Sequence, residues 1–158
     1  MNKIFSIALL LVIILSVAGC GPDPVCPEEI GFVGNYDGEH VVTIPSIGIP
    51  LPTNDSLFVT NPVEGDNQLS GQSQTLNTTL NCRISSSNCK AFTIDTVYID
   101  STKVSGITIK NVVAAGNGDI DGNKLVTRIT IISGMAYDIP VYGNQDLAGT
   151  RINGLFYK

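Results

Sequence analysis

His40 is the only histidine in the chain, so any chemistry that needs an imidazole base must pass through it. It sits in Glu39-His40-Val41, inside a β-branched stretch, and no Gly-x-Ser-x-Gly elbow is present to supply an activated serine. The reading that follows is a histidine on a strand surface. Two carboxylate pairs, Asp37 with Glu39 and Asp119 with Asp121, have a spacing that puts both members on one strand face. Acid–base hydrolysis would need such a pair in a sugar-binding cleft, and no tryptophan is available to build one. No catalytic residue is therefore assigned, and the chain is read as a non-enzyme without a cofactor. Of the four cysteines, Cys82 and Cys89 flank the polar stretch Arg83-Ile84-Ser85-Ser86-Ser87-Asn88. A bridge across this hairpin is the simplest pairing, contributing about 2 to 3 kcal/mol by the chain-entropy estimate. Cys26 then stands free, pairs with another chain, or competes for Cys82 or Cys89. Zinc would require four ligands at suitable spacing, which one histidine and these cysteines do not provide.

Asn117-Gly118-Asp119-Ile120-Asp121-Gly122 places oxygen ligands at positions 1, 3 and 5 and glycine at 6, the opening of a calcium loop. Position 12 falls on Arg128, where a bidentate glutamate belongs. Asn117, Asp119 and Asp121 thus form a weak calcium candidate beside a simpler expectation, a tight hairpin turn at Asp121-Gly122 or Gly122-Asn123.

The elements that must carry these groups read as β throughout. Runs rich in Val, Ile, Thr, Tyr and Phe are separated by Gly, Asn, Asp, Ser and Pro clusters. No amphipathic helix is visible. The expected strands are 32–44, 56–61, 68–80, 91–99, 104–114, 124–133, 135–142 and 151–157. Alternation is clearest in Leu125-Val126-Thr127-Arg128-Ile129-Thr130-Ile131, with Arg128 toward water and Ile129 toward the core. Short connections imply an antiparallel meander, and a sheet of this size closes into a barrel of roughly eight strands, with a β-sandwich as the alternative. Ile44-Pro45-Ser46-Ile47-Gly48-Ile49-Pro50-Leu51-Pro52 carries three prolines and is not expected to be a central strand. It reads as a loop sealing one barrel end, or as the mouth of a site for an apolar ligand. Met135, Tyr137 and Tyr142 form a second candidate rim.

At the N-terminus, Lys3 precedes the apolar run Ile4 to Val17, which is too short for a spanning helix and suited to a signal segment. Leu15-Ser16-Val17-Ala18-Gly19-Cys20 resembles the lipobox of bacterial lipoproteins. The resemblance implies diacylglyceryl lipidation of Cys20, removal of residues 1–19, and attachment to a membrane. Residues 20–30 then serve as a Pro- and Gly-containing tether and 31–158 as one β-barrel domain. Gly21 after the cysteine points to the outer membrane of a bacterial envelope, on its periplasmic or surface face. The remaining 139 residues carry 8 basic against 14 acidic side chains, a net charge of −6, which excludes nucleic acid as a partner. Asp55-Ser56-Leu57, Asp95-Thr96-Val97 and Asp100-Ser101-Thr102 resemble the acceptor pattern of Bacteroidota O-glycosylation, making Ser56, Thr96 and Ser101 candidate sites.

Phe32-Val33-Gly34-Asn35-Tyr36-Asp37-Gly38, together with the Gly-rich stretch 116–125 leading into a strand, is similar to the small lipocalin-like lipoproteins of Bacteroidota. That resemblance implies an antiparallel barrel and no established reaction. The function expected is a lipid-anchored, non-catalytic interaction or structural module with a protein or glycan partner at the envelope. A carrier of a small apolar ligand and a hydrolase-inhibitor lipoprotein are the alternatives.

Overall fold

A computed structural model describes Cys26 and residues 31–48, 50–61, 67–74, 76–104, 106–139 and 141–158. Nine strands are present: β1 (Gly34–Thr43), β2 (Pro50–Thr60), β3 (Gln68–Ser73), β4 (Thr78–Ser85), β5 (Asn88–Val104), β6 (Ile107–Asp121), β7 (Lys124–Ile139), β8 (Gly143–Asp146) and β9 (Arg151–Tyr157). Each consecutive pair from β1 to β7 is antiparallel, and β9 pairs with both β7 and β1. Eight strands thereby close a barrel, which rules out the sandwich alternative. The ninth, β8, shares an edge of β7 with β9: β9 takes Lys124–Thr130 and β8 takes Met135–Ile139.

Several expected boundaries differ: β2 already begins at Pro50, β5 spans Asn88–Val104, β6 runs on to Asp121, and two expected strands divide differently. The stretch 68–80 breaks into β3 and β4 at a turn where Asn77 takes φ +47°. The separate strands expected at 124–133 and 135–142 are one strand, because Ser133-Gly134 is a bulge and not a turn. Gly134 there has φ +151°, and opposite it Asn111 of β6 has φ +53°. The paired irregularities shift the inward face by one residue on both strands. Burial runs 125, 127, 129, 131 and then 136 on β7, and 109 and then 112 and 114 on β6.

Inward positions are filled. Tyr36, Leu57, Val59, Leu69, Leu80, Phe92, Ile94, Ile120, Leu125, Ile129, Ile152 and Phe156 belong to one buried cluster. Bulky rings lie over glycines: a Cβ at Gly118 would stand 2.3 Å from the Phe92 ring and 2.3 Å from the Val126 carbonyl oxygen. The glycine-rich stretch before β7 is thus a packing requirement of the barrel wall.

The register also orders the two ends. Gly34 pairs with Val59 and Thr43 with Pro50, while Asp121 pairs with Lys124. One end accordingly gathers the start of β1, the β4–β5 and β6–β7 hairpins and the C-terminus. The opposite end holds the β1–β2, β5–β6 and β7–β8 connections. Near that second end the wall has a seam, because β3 pairs only with Leu57–Thr60 of β2 and β4 only with the first part of β5. Pro50 and Pro52 do lie in a strand, contrary to expectation, and they are tolerated because this half of β2 is laddered to β1 alone.

Candidate functional site

The inward positions of β1, β2 and β3 bring three polar side chains together inside the barrel. His40, expected on the surface, is 2% exposed. Its Nδ1 lies 3.1 Å from Asp55 Oδ2, and the same carboxylate oxygen accepts a 2.6 Å hydrogen bond from Ser73 Oγ. Asp55 Oδ1 accepts from the Ser56 amide at 2.8 Å. Ser73 Oγ in turn accepts from the Leu76 amide at 3.0 Å. A carboxylate buried to this degree is tolerated because three donors converge on it.

The order of these bonds determines what they do. Ser73 gives its proton to the carboxylate and not to the imidazole, so His40 has no nucleophile to activate within this network. The chain of bonds instead runs from β1 through β2 and β3 to the β3–β4 turn, and it holds Leu76 in the seam of the wall. Leu76 is 4% exposed and lines one apolar cavity together with Val42, Ile44, Leu51, Ile107 and Ile109.

On its other side, His40 meets the ring of Phe156 edge-on with centroids 4.9 Å apart. His40 Nε2 and Thr127 Oγ1 are both buried without a hydrogen-bond partner. Both strands pair with Gly154, and a Cβ there would stand 2.3 Å from Thr127 Oγ1, 2.4 Å from Phe156 Cε2 and 2.8 Å from His40 Cδ2. Glycine is therefore needed at 154 to let the imidazole, hydroxyl and ring share one layer.

Two apolar cavities flank this layer. One of about 30 Å³ lies beneath Leu147 at the seam end, lined by Val42, Ile44, Leu51, Leu76, Ile131 and Ile152 among others. The other, about 20 Å³, lies toward Phe32, Leu69, Phe92 and Leu125. Sites for drug-sized ligands occupy roughly 300 to 1,000 Å³. The seam end is closed by residues 147–150, whose backbone bonds to Ile131 and Gly134 fix Leu147 inward. Ser46 of the β1–β2 loop donates to Gln145 Oε1 at 2.9 Å. The proline-containing segment thus contributes Ile44 and Leu51 to the core, while Met135 and Tyr137 are half-buried on β7 and Tyr142 is exposed.

The disulfide differs from the expected one. Cys89 is bonded to Cys26 across 63 residues of sequence, and Cys82 is a free, buried thiol. Cys82 occupies an inward position of β4, whereas Cys89 is half-buried at the start of β5 and can meet Cys26 at the barrel end. Short sequence separation favoured the Cys82–Cys89 hairpin bridge; the direction each side chain takes from its strand decides against it. Burial, aided by the charge of Asp95, pushes the Cys82 thiol up to about 12. Cys26 is tied further, its amide donating to Asn67 Oδ1 at 3.0 Å.

The calcium candidate does not assemble either. Asn117, Asp119 and Asp121 lie at alternate positions of β6, spread along the strand instead of wrapped around one point. Asp119 is paired with Arg128 at 2.6 Å and Asp121 with Lys90 at 3.5 Å. Gly122-Asn123 forms the two-residue turn between β6 and β7, with Gly122 at φ +60°. Among the described residues no group of three or more His, Cys, Asp or Glu could hold a metal ion. Of the candidate glycosylation positions, Thr96 and Ser101 are exposed on β5, and half-buried Ser56 donates to Asp37 Oδ1 at 2.6 Å. Cys20 and the signal segment lie outside the described residues.

No protein-family model, curated protein or solved structure matches this chain.

Proposed function

We propose that this protein is a lipid-anchored envelope module that works through its outer surface and loops, without catalysis. The filled interior carries the reading: the described cavities of about 30 and 20 Å³ are an order of magnitude below what a carried ligand occupies. The lipobox-like segment ending at Cys20 supplies the anchor, after removal of residues 1–19. The destination is the outer membrane, and the relatives in kind are the lipocalin-like lipoproteins of Bacteroidota. A protein or glycan at the envelope is the partner class, and the net acidic surface disfavours nucleic acid and anionic headgroups. Ser56, Thr96 and Ser101 are the positions at which O-glycans would be attached, Thr96 and Ser101 being the accessible ones.

The test is native mass spectrometry of the protein purified from its own host membranes, with a denatured aliquot alongside. The expected result is the mass of the chain with its Cys20 lipid and any covalent glycan, unchanged by denaturation. A further mass lost on denaturation and identified as an apolar molecule would overturn the module reading in favour of a carrier.

A further inference from the structure

The geometry points to a function for the Cys26–Cys89 bond: it shortens the tether at the barrel end where the chain enters β1, and so limits how far that end can move from the membrane and how freely the barrel can tilt. This inference rests on the reading of Cys20 as the lipid anchor. Cys89 stands at the start of β5, level with Asp121 at the end of β6, and the Cys26 amide is bonded to Asn67 before β3. Both contacts lie at the end that holds the β4–β5 and β6–β7 hairpins. Six residue-to-residue steps separate Cys20 from Cys26, and a fully extended chain of that length spans roughly 20 Å. With the bridge formed, the β6–β7 hairpin end stays within about that distance of the bilayer.

The opposite end lies far from the anchor point. β7 has 16 residues; at roughly 3.3 Å per residue and the usual strand tilt, the two ends stand roughly 40 Å apart. With the barrel upright on its hairpin end, Val141 of the β7–β8 connection, 98% exposed, and the apolar seam beneath Leu147 face away from the membrane. Without the bridge, the next described residues held to the barrel are Gly31 and Phe32, whose carbonyls accept from Tyr36 Oη. The free span then roughly doubles, and the barrel can turn its side to the lipid. The disulfide is a spacer lock that keeps the hairpin end close to the bilayer.

The experiment uses the full-length lipoprotein made in its host, with a click-reactive side chain at Asn123 or at Val141 carrying a donor fluorophore. The protein is reconstituted into phosphatidylcholine vesicles containing an acceptor-labelled lipid. A donor at Asn123 is expected to be quenched at least threefold more than one at Val141. Mild reduction, or the double variant Cys26→Ser with Cys89→Ser, is expected to cut that difference by half or more. Equal quenching at the two positions in the oxidised protein, or stronger quenching at Val141, overturns the orientation without need of the variant. A difference that persists in a reduced protein still folded by circular dichroism overturns the lock. A chain that does not stay with the vesicles and carries an unmodified Cys20 by mass overturns the anchor reading itself, a separate result from vesicle-bound chain with equal quenching.

Discussion

At the scale of single residues, the barrel interior contains one polar network centred on Asp55 and, among the described residues, three buried polar atoms without a partner, His40 Nε2, Thr127 Oγ1 and Thr150 Oγ1, and substitutions separate the two kinds. Asp55 gathers His40, Ser73 and the Ser56 amide, so Asp55→Ala strands three buried donors and is expected to lower stability by about 3 kcal/mol or more. Thr127 Oγ1 has no partner, so Thr127→Val, which keeps the shape and deletes the hydroxyl, is expected to raise stability by about 1 kcal/mol. Urea unfolding of both variants reads the two signs, and a destabilised Thr127→Val would mean that the hydroxyl is bonded. A third residue gives a pH signature. The Cys82 thiol is raised from 9.0 to about 12 by burial, with Asp95 adding to the shift. The folded state keeps its proton while the unfolded chain loses it, so this contribution is whole below pH 9 and is lost as pH climbs toward 12. Between pH 9 and 10 the unfolding midpoint of the wild type should fall more steeply than that of Cys82→Ala. None of this was legible from His40 or Cys82 as letters. Each lies in a β-branched or mixed stretch whose inward phase the sequence leaves open, and phase alone separates a surface histidine from a buried one.

At the scale of elements, the strands of clean alternation were readable and the irregular ones were not. Leu125 to Ile131 alternates as expected because both neighbouring ladders are regular there. The bulge at Asn111 and Ser133-Gly134 was invisible as such, since Ser-Gly signals a turn as readily as a bulge; only the facing strand decides. The same limit applied to the cysteines. Pairing by proximity along the chain gives Cys82 with Cys89, but strand direction sends Cys82 inward and brings Cys89 to Cys26. The longer loop has a larger consequence, because closing 63 residues removes about 4 kcal/mol of unfolded-chain entropy in the usual treatment. Reduction under native conditions should therefore lower the urea midpoint markedly and leave Cys82 unalkylated until the barrel unfolds. Peptide mapping after iodoacetamide distinguishes the pairings, since a Cys82–Cys89 bridge would leave Cys26 as the labelled site.

At the scale of the whole molecule, closure of eight strands was legible from strand count and short connections, yet whether the closed barrel is hollow was not, because that depends on how side chains from all eight meet. The answer lies in the seam, where Leu76 and Leu147 fill from the wall and the end what the short strands β3 and β4 leave uncovered. If the interior is dry and filled, removing one of these plugs should create a site where the wild type has none. Leu147→Ala deletes a side chain that is 2% exposed above an apolar cavity of about 30 Å³, and it is expected to cost about 2 to 5 kcal/mol. The enlarged space is lined by Val42, Ile44, Ile131 and Ile152 and offers no hydrogen bonds, so it should stay dry and accept a small apolar probe such as benzene or xenon. Binding of that probe to Leu147→Ala, with recovery of part of the lost thermal stability, and no binding to the wild type, is the outcome expected of a filled barrel with a removable plug. Equal binding to the unaltered protein would mean that the seam already opens in solution, and it would move the balance toward a barrel that carries apolar cargo.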